Sequence, residues 1–390
     1  MASDTDLVPR PPEPGEFPSL HRLLDATFRS GGGSMANEYP RLLSERNRGN
    51  LRVCVNGDRV VSHVGIVLRD ASLEGIPVRV ALVGAVGTDP EYRGRGLASK
   101  CLGAVMEHAL SRGAHLMWIS GGRGLYRRLG ARSVGEDTEF VLGEDELTRF
   151  ARDLEVRDLS PEHIPEIAEL YAHEAVRYIR PLEDWQAAFE RHFAFNRSCR
   201  FLGAWDSGRL AAYMVVHDPA ADGVAFVAEY AGARGVLLST MLKMMKMTGG
   251  RGLRLHLAQH DRTLGHRLEA AGLSGKCVAA SGTCVVLDFS SLMEKLRNRF
   301  VERAGEAAGA ELSFAEEGPP FGADNTFSVA CGPDVVTIEG RGALAEFLFG
   351  VPECRGAEGE KCPCVRHWGP SGPFRAALPV PSLWYGLNYV

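Results

Sequence analysis

Two stretches of the chain alternate apolar and polar positions in the same way. Arg52–Ile66, RVCVNGDRVVSHVGI, and Leu202–Val216, LGAWDSGRLAAYMVV, each read as strand, tight polar turn, arginine, strand, and they begin 150 residues apart. Asn56-Gly57 and Asp206-Ser207-Gly208 supply the turns, residues that tolerate the left-handed backbone a two-residue hairpin needs. Upstream of each lies a helical spacing of apolar residues, Phe17, Leu20 and Leu24 in one case and Ile164, Ile167 and Leu170 in the other. Downstream each shows strand, helix, strand, helix: VALVGAVGTD, RGLASKCLGAVMEHAL, HLMWIS and LYRRLG, then VAFVAEYAG, VLLSTMLKMMKM, LRLHLA and TLGHRLEAAG. The pattern predicts an α/β (α+β) protein with two copies of one mixed domain, over 1–150 and 151–288.

From Phe289 the pattern changes. SSLMEKLRNRF places Leu292, Leu296 and Phe300 on one helix face, TFSVACG and DVVTIEG read as strands, and GALAEFLFG reads as a helix. A third, smaller α+β unit over 289–390 is expected. It ends in ALPVPSLWYGLNYV, and a tail carrying Leu383, Trp384, Tyr385, Leu387 and Tyr389 is too apolar to hang free in water. This tail is expected to dock on the body of the protein.

Length agrees, since 390 residues exceed one ordinary core. A net charge of −5 provides no global basic field, so neither nucleic acid nor a membrane surface is an expected partner. The first residues lack the basic and apolar regions of a secretory leader, and no run approaches the roughly 20 apolar residues of a membrane span. Nine cysteines, odd in number and scattered, point to a reducing cytoplasm. Cys354, Cys362, Cys364 and His367 leave one residue between Cys362 and Cys364, too few for a usual zinc pair, so no metal is expected. The methionines of Met241–Met247 read as core filling.

The chemistry concentrates in TDPEYRGRGLASK, Thr88–Lys100. An apolar strand precedes it, and a helix follows with Leu97, Cys101, Val105 and Ala109 at four-residue spacing, so the helix is expected to start near Gly96. Glycines at a helix start weaken it, and an anion held by the free N–H groups there would compensate. A dinucleotide fingerprint needs a third glycine and a loop directly after the strand, and a P-loop needs Gly-Lys-Ser/Thr; neither fits.

With Arg93, Gly96 and Ala98 in the order Arg-x-x-Gly-x-Gly/Ala, this loop resembles the coenzyme A loop of the GCN5-related N-acetyltransferase (GNAT) superfamily. ISGGRGLYRRLGARSVG resembles that superfamily's second signature. The doubled domain with a small third one resembles, more narrowly, the enhanced intracellular survival (Eis) type. The resemblance implies tandem GNAT-fold domains with mixed central sheets, a catalytic one over 1–150 and a degenerate one over 151–288. It also implies a sterol-carrier-like C-terminal domain over 289–390 and acetyl-CoA as co-substrate. Val86, Gly87 and Thr88 would offer main-chain groups to the pantetheine arm, as in strand addition. Gly94, Arg95, Gly96, Leu97, Ala98 and Ser99 would wrap the pyrophosphate, with Arg93 supporting the turn, and Gly121 and Gly122 would line the opposite wall.

The resemblance places the general acid at Tyr126 and, in the Eis type, brings the terminal carboxylate, here that of Val390, into the active site. This tail departs from the acidic-aromatic ending of that type. Asp25, Glu38 and His63 are fallback acid/base groups. EYAGARGVLLST lacks the Arg-x-x-Gly-x-Gly pattern and TLGHRLEAAGL lacks a tyrosine matching Tyr126, so one active site per chain is expected. The expected function is N-acetyl transfer to a primary amine, on a small molecule or a lysine, by direct attack in a ternary complex. Such an enzyme is an acyltransferase transferring groups other than aminoacyl groups. A non-catalytic acyl-CoA- or lipid-binding protein using the third domain is the alternative, and an acetyl-CoA sensor a further one. The resemblance also suggests a homo-oligomer.

Overall fold

The computed structural model describes residues 7–280, 282–322, 324–351 and 372–390; the group Cys354, Cys362, Cys364 and His367 lies outside the described residues. In chain order the strands are β1 (Leu51–Asn56), β2 (Arg59–Leu73), β3 (Ile76–Thr88), β4 (Leu116–Ile119), β5 (Glu136–Gly143), β6 (Glu155–Asp158), β7 (Val176–Tyr178) and β8 (Phe193–Ala194). They continue with β9 (Arg197–Asp206), β10 (Arg209–His217), β11 (Val224–Gly232), β12 (Gly252–Ala258), β13 (Lys276–Ala279), β14 (Thr283–Val286), β15 (Leu312–Glu317), β16 (Thr326–Cys331) and β17 (Asp334–Glu339).

The fold is mixed α/β. The first sheet runs β1-β2-β3-β4-β14, with β7 paired to the far end of β2. The second runs β13-β5-β12-β11-β10-β9-β6, and β15-β16-β17 form a small antiparallel third sheet. Both large sheets are mixed: β3 pairs parallel with β4, and β11 pairs parallel with β12, amid antiparallel neighbours. The expected hairpins form, β9–β10 closing on Ser207-Gly208 and β1–β2 on Gly57-Asp58, one residue later than Asn56-Gly57 because Asn56 pairs with Arg59; Gly57, Ser207 and Gly208 all take positive φ.

The halves are interlocked. β5 lies before residue 150 yet pairs with β12 from Gly143↔Gly252 to Asp137↔Ala258, deep in the second sheet. In return β14 pairs with β4 and closes the first sheet, its four residues all buried. Sheet membership therefore does not change hands at a single point along the chain. Pulling the two sequence halves apart would break both ladders, and each carries apolar residues that neither half could otherwise cover.

Helices cover the sheets as their apolar stripes dictate. Leu97–Ser111 buries Leu97, Cys101, Leu102, Val105, Met106 and Ala109 against one face of the first sheet. Phe17–Phe28 buries Leu20 and Leu24 on the opposite face. Arg234–Met247 packs Met241, Met244 and Met245 into the core of the second sheet. Phe289–Ala304 and Arg341–Phe349 join the core that runs under the first sheet. The tail docks: Leu378, Val380, Leu383, Tyr385, Leu387 and Val390 are all buried. No helix among the described residues is long and apolar enough to cross a membrane.

Candidate active site

The site begins where two strands part. The β3–β4 ladder runs from Val80↔Leu116 to Val83↔Ile119 and stops there, while β3 continues to Thr88. On its other edge β3 stays paired to β2 through Gly84↔Gly65, Gly87↔His63 and Thr88↔Ser62, so Ala85 and Val86 together oppose the single residue Val64. This is a β-bulge, a device that bends a strand and re-aims its edge. Ala85 takes φ of +51°, unusual for a residue with a Cβ. His63 pins it: Nδ1 donates to the Ala85 carbonyl at 2.7 Å, which leaves Nε2 buried and without a partner among the described residues. Burial pushes the imidazole pKa down to about 4, so the ring is neutral near pH 7. On the side of β3 that carries β4 lower down, the edge from Gly84 to Thr88 thus has no strand paired to it among the described residues.

The loop that follows is built by its own residues. Asp89 accepts the Glu91 N–H at 3.1 Å and pairs with Arg59, fixing the turn Pro90–Tyr92. Gly94 and Gly96 take φ of +79° and +77°, and a Cβ on either would meet only open space, so conformation rather than room demands glycine. Gly96 caps the helix Leu97–Ser111 without a side-chain acceptor, so the first-turn N–H groups are available to an anion. Arg93 Nε donates to the Thr88 carbonyl at 3.2 Å, tying the loop to the end of β3. Arg95 is turned back onto the Glu91 carbonyl at 2.9 Å and the Tyr92 ring at 4.9 Å. Ala98 and Ser99 continue the first helical turn.

The facing wall comes from the end of β4. Gly121 accepts from Thr283 Oγ1 at 2.9 Å, which ties it to β14, and Gly122 follows on the surface. A Cβ on Gly121 would lie 3.5 Å from Tyr126 Cε2. Tyr126 is buried, and no group among the described residues hydrogen-bonds its hydroxyl. Burial pushes its pKa up, with Arg123 pulling weakly the other way, so the phenol keeps its proton near pH 7.

The tail reaches the bulge from the opposite face of the sheet. A Cβ on Gly84 would sit 2.7 Å from the Val390 main-chain carbon and 2.9 Å from its oxygen, so only glycine admits this approach. Gly65, directly across the ladder, has no Cβ for the same crowded face, where Leu42, Leu51 and His63 converge. The tail is held by Trp384 Nε1 donating to the Ala228 carbonyl at 2.6 Å, Leu387 N–H to Glu229 at 3.0 Å and Arg41 to the Leu387 carbonyl at 2.6 Å. Arg180, itself bound to Glu229, clasps Asn388 at 2.7 Å.

The structure therefore gathers Val86–Thr88, the Arg93–Ser99 loop, Gly121–Gly122, Tyr126 and Val390 around one bulged strand end. Two fallback groups serve the framework: Asp25 accepts the Met35 N–H at 2.7 Å, and Glu38 pairs with Arg29. Sequence reasoning misses the bulge, the Gly84–Gly65 pair, the pinning by His63 and the anchoring by Trp384. The one available signal was VGAVGT, since glycines inside a strand mark bulges or close approaches.

Residues 9–134 match the family model of the acetyltransferase (GNAT) domain, which covers the bulged strand, the loop and Tyr126. That segment is a GNAT domain. Over nearly its whole length the chain is similar in fold to a GCN5-related N-acetyltransferase from Kribbella flavida, at 18% identity and a TM-score of 0.64, covering 96% of this chain and 98% of that one. A GCN5-related N-acetyltransferase from Anabaena variabilis ATCC 29413 gives 13% identity, a TM-score of 0.66 and coverage of 96% and 97%. Eis1 from Mycobacterium abscessus gives 14% identity, a TM-score of 0.54 and coverage of 86% and 87%. At these identities the likeness is one of fold. No curated protein matches the chain.

Proposed function

We propose that the chain is an acetyl-CoA-dependent N-acetyltransferase acting on a primary amine, carried by one small molecule or lysine side chain at a time in a ternary complex. The observation that carries the reading is the parting of β3 from β4 at Gly84, with the buried Tyr126, whose hydroxyl no described residue hydrogen-bonds, on the far side. The donors fit the co-substrate: an unpaired strand edge for its amide-bearing arm, and uncapped helix N–H groups beside arginines for its diphosphate. When bound, it supplies an activated thioester carbonyl.

The chain's own residues do the rest. A main-chain N–H of the Val86–Thr88 edge faces the developing oxyanion. The C–N bond forms as the C–S bond breaks, the amine gives up a proton, and Tyr126 hands its phenolic proton to the departing thiolate. The carboxyl group of Val390 is the proton acceptor in this reading; its seat against Gly84 puts it beside the bulge. On the same reading the second sheet, with its own parallel pair β11–β12, is a GNAT-like copy without the loop. Residues 289–390 form a sterol-carrier-like unit, and the setting is cytoplasmic.

Titrating acetyl-CoA, and separately CoA, into the protein by calorimetry tests the proposal. Micromolar binding at one site per chain is expected, followed by thiol release with a panel of amines. No binding would overturn it.

A further inference from the structure

The second sheet parts as the first does. The β11–β12 ladder covers only Val224–Phe226 against Gly252–Arg254, and beyond it the strands diverge. A bulge on β11 at Ala228, opposite Val215 and Val216 of β10, accompanies the divergence. The cleft is roofed by the tail, whose Trp384 indole donates to the carbonyl of the buried Ala228 on β11 and packs 5.3 Å from the His256 ring. Beneath it lies a cavity of about 70 Å³.

Its polar lining is lopsided. Four carboxylates face it: Asp137, Glu174, Glu229 and Asp261. Arg234 bonds Glu174 at 2.5 Å and Asp261 at 2.6 Å, and Arg180 grips Glu229 with two bonds at 2.8 and 3.0 Å. Asp137 is left over. It is 3% exposed, it lines the cavity, and among the described residues no hydrogen bond or ion pair reaches its carboxyl group. His256, on the same face of β5–β12, is engaged through Nε2 with Glu139 at 3.0 Å and leaves its buried Nδ1 without a partner. A buried charge without a partner is costly, and a cationic ligand removes that cost.

The remaining features select the ligand. The excess negative charge excludes an anion. No group of three or more potential metal ligands exists among the described residues, which argues against a metal ion. The volume admits a few heavy atoms, and the Trp384, Tyr171 and Tyr230 rings in the lining suit the alkyl part and charge of an organic cation. We propose that the cleft between β11 and β12 binds a short primary alkylammonium ion, with Asp137 as its counter-ion. Its lining contains none of Val86–Thr88, Arg93–Ser99, Gly121, Gly122, Tyr126 or Val390, and the inference stands whether or not the chain transfers acetyl groups.

Calorimetric titration of the full chain with ethylammonium chloride, against potassium chloride at equal ionic strength, tests it. Saturable binding with a Kd of about 1 mM or lower is expected for ethylammonium alone. Asp137→Asn, nearly isosteric, should weaken it at least tenfold, as should the smaller Asp137→Ser, with acetyl-CoA binding and thermal midpoint recording that both variants are folded. Absence of saturable binding to the parent would overturn the proposal. So would equal affinity in the Asp137 variants, or equal heats from potassium.

Discussion

Replacing Gly84 by alanine adds one methyl group where the tail meets the bulge. The new Cβ would lie 2.7 Å from the Val390 main-chain carbon, 2.9 Å from its oxygen and 2.7 Å from Leu42 Cδ2. Carbon atoms pack at about 3.5–4.0 Å, so the Val390 carboxyl group must retreat by roughly 1 Å. Leu42 can swing away at its flexible end, whereas Val390 is held by the bonds of Trp384, Leu387 and Asn388. Overpacking of this kind costs about 1–3 kcal/mol of stability. Gly65→Ala is the matched control: the three atoms nearest its Cβ, at 2.8–3.1 Å, belong to Leu51, Leu42 and His63 on the same face rather than to Val390. If the Val390 carboxyl group takes the amine's proton, a 1 Å displacement should cut kcat by about 10²-fold in Gly84→Ala and far less in Gly65→Ala. Thiol release from acetyl-CoA with a turned-over amine gives kcat, and thermal unfolding gives the stability of each variant. Comparable losses of kcat in both variants would refute the role of Val390, as would full turnover in Gly84→Ala.

Tyr126→Phe should leave acetyl-CoA affinity within about threefold and lower kcat by about 10²–10⁴-fold, the usual share of a general acid; calorimetry and steady-state rates on one preparation check both, and unchanged turnover would remove Tyr126 from the mechanism. His63, depressed by burial to about 4 from an ordinary 6.5, binds fewer protons folded than unfolded, so it contributes stability above pH 6.5 that is lost as pH falls toward 4, up to about 3 kcal/mol. His63→Gln, whose amide can still donate to Ala85, should flatten that part of the pH profile in denaturant titrations. Asp137 acts in the opposite sense: burial lifts its carboxyl to about 7, so its folded form holds a proton that the unfolded form loses near pH 4, and stability falls by up to about 4 kcal/mol as pH rises from 4 to 7. Asp137→Asn should therefore be more stable than the parent at pH 8 when no amine is present, and a less stable variant would count against the unpaired charge.

Some of this architecture was written in local pattern. Gly57 set the first hairpin, and Leu97, Cys101, Val105 and Ala109 set the helix that starts after Gly96, because turn chemistry and apolar periodicity act over a few residues. The same holds for Phe289–Ala304 and for the strands Thr326–Cys331 and Asp334–Glu339. The glycine turn ahead of the helix Leu97–Ser111 was legible for a related reason: Gly94 and Gly96 take left-handed backbone angles that favour glycine.

The tertiary structure alone decided the rest. Nothing in EDTEFVLG says that β5 crosses to pair with β12 rather than with a neighbour of its own half, because any alternating strand satisfies either edge locally. Ala85 adopts a left-handed backbone because His63, 22 residues earlier, takes its carbonyl, and local propensity argues against that conformation. Asp137 looks like an ordinary strand-edge acid until strands from both halves close over it. By itself the sequence determined where the hairpins and long helices lie and where glycines open a helix start, since those depend on short-range sterics and periodicity. Which strand ends part, what the tail touches and which carboxylate is stranded were settled by contacts between residues tens to hundreds of positions apart, where burial and charge outweigh local preference.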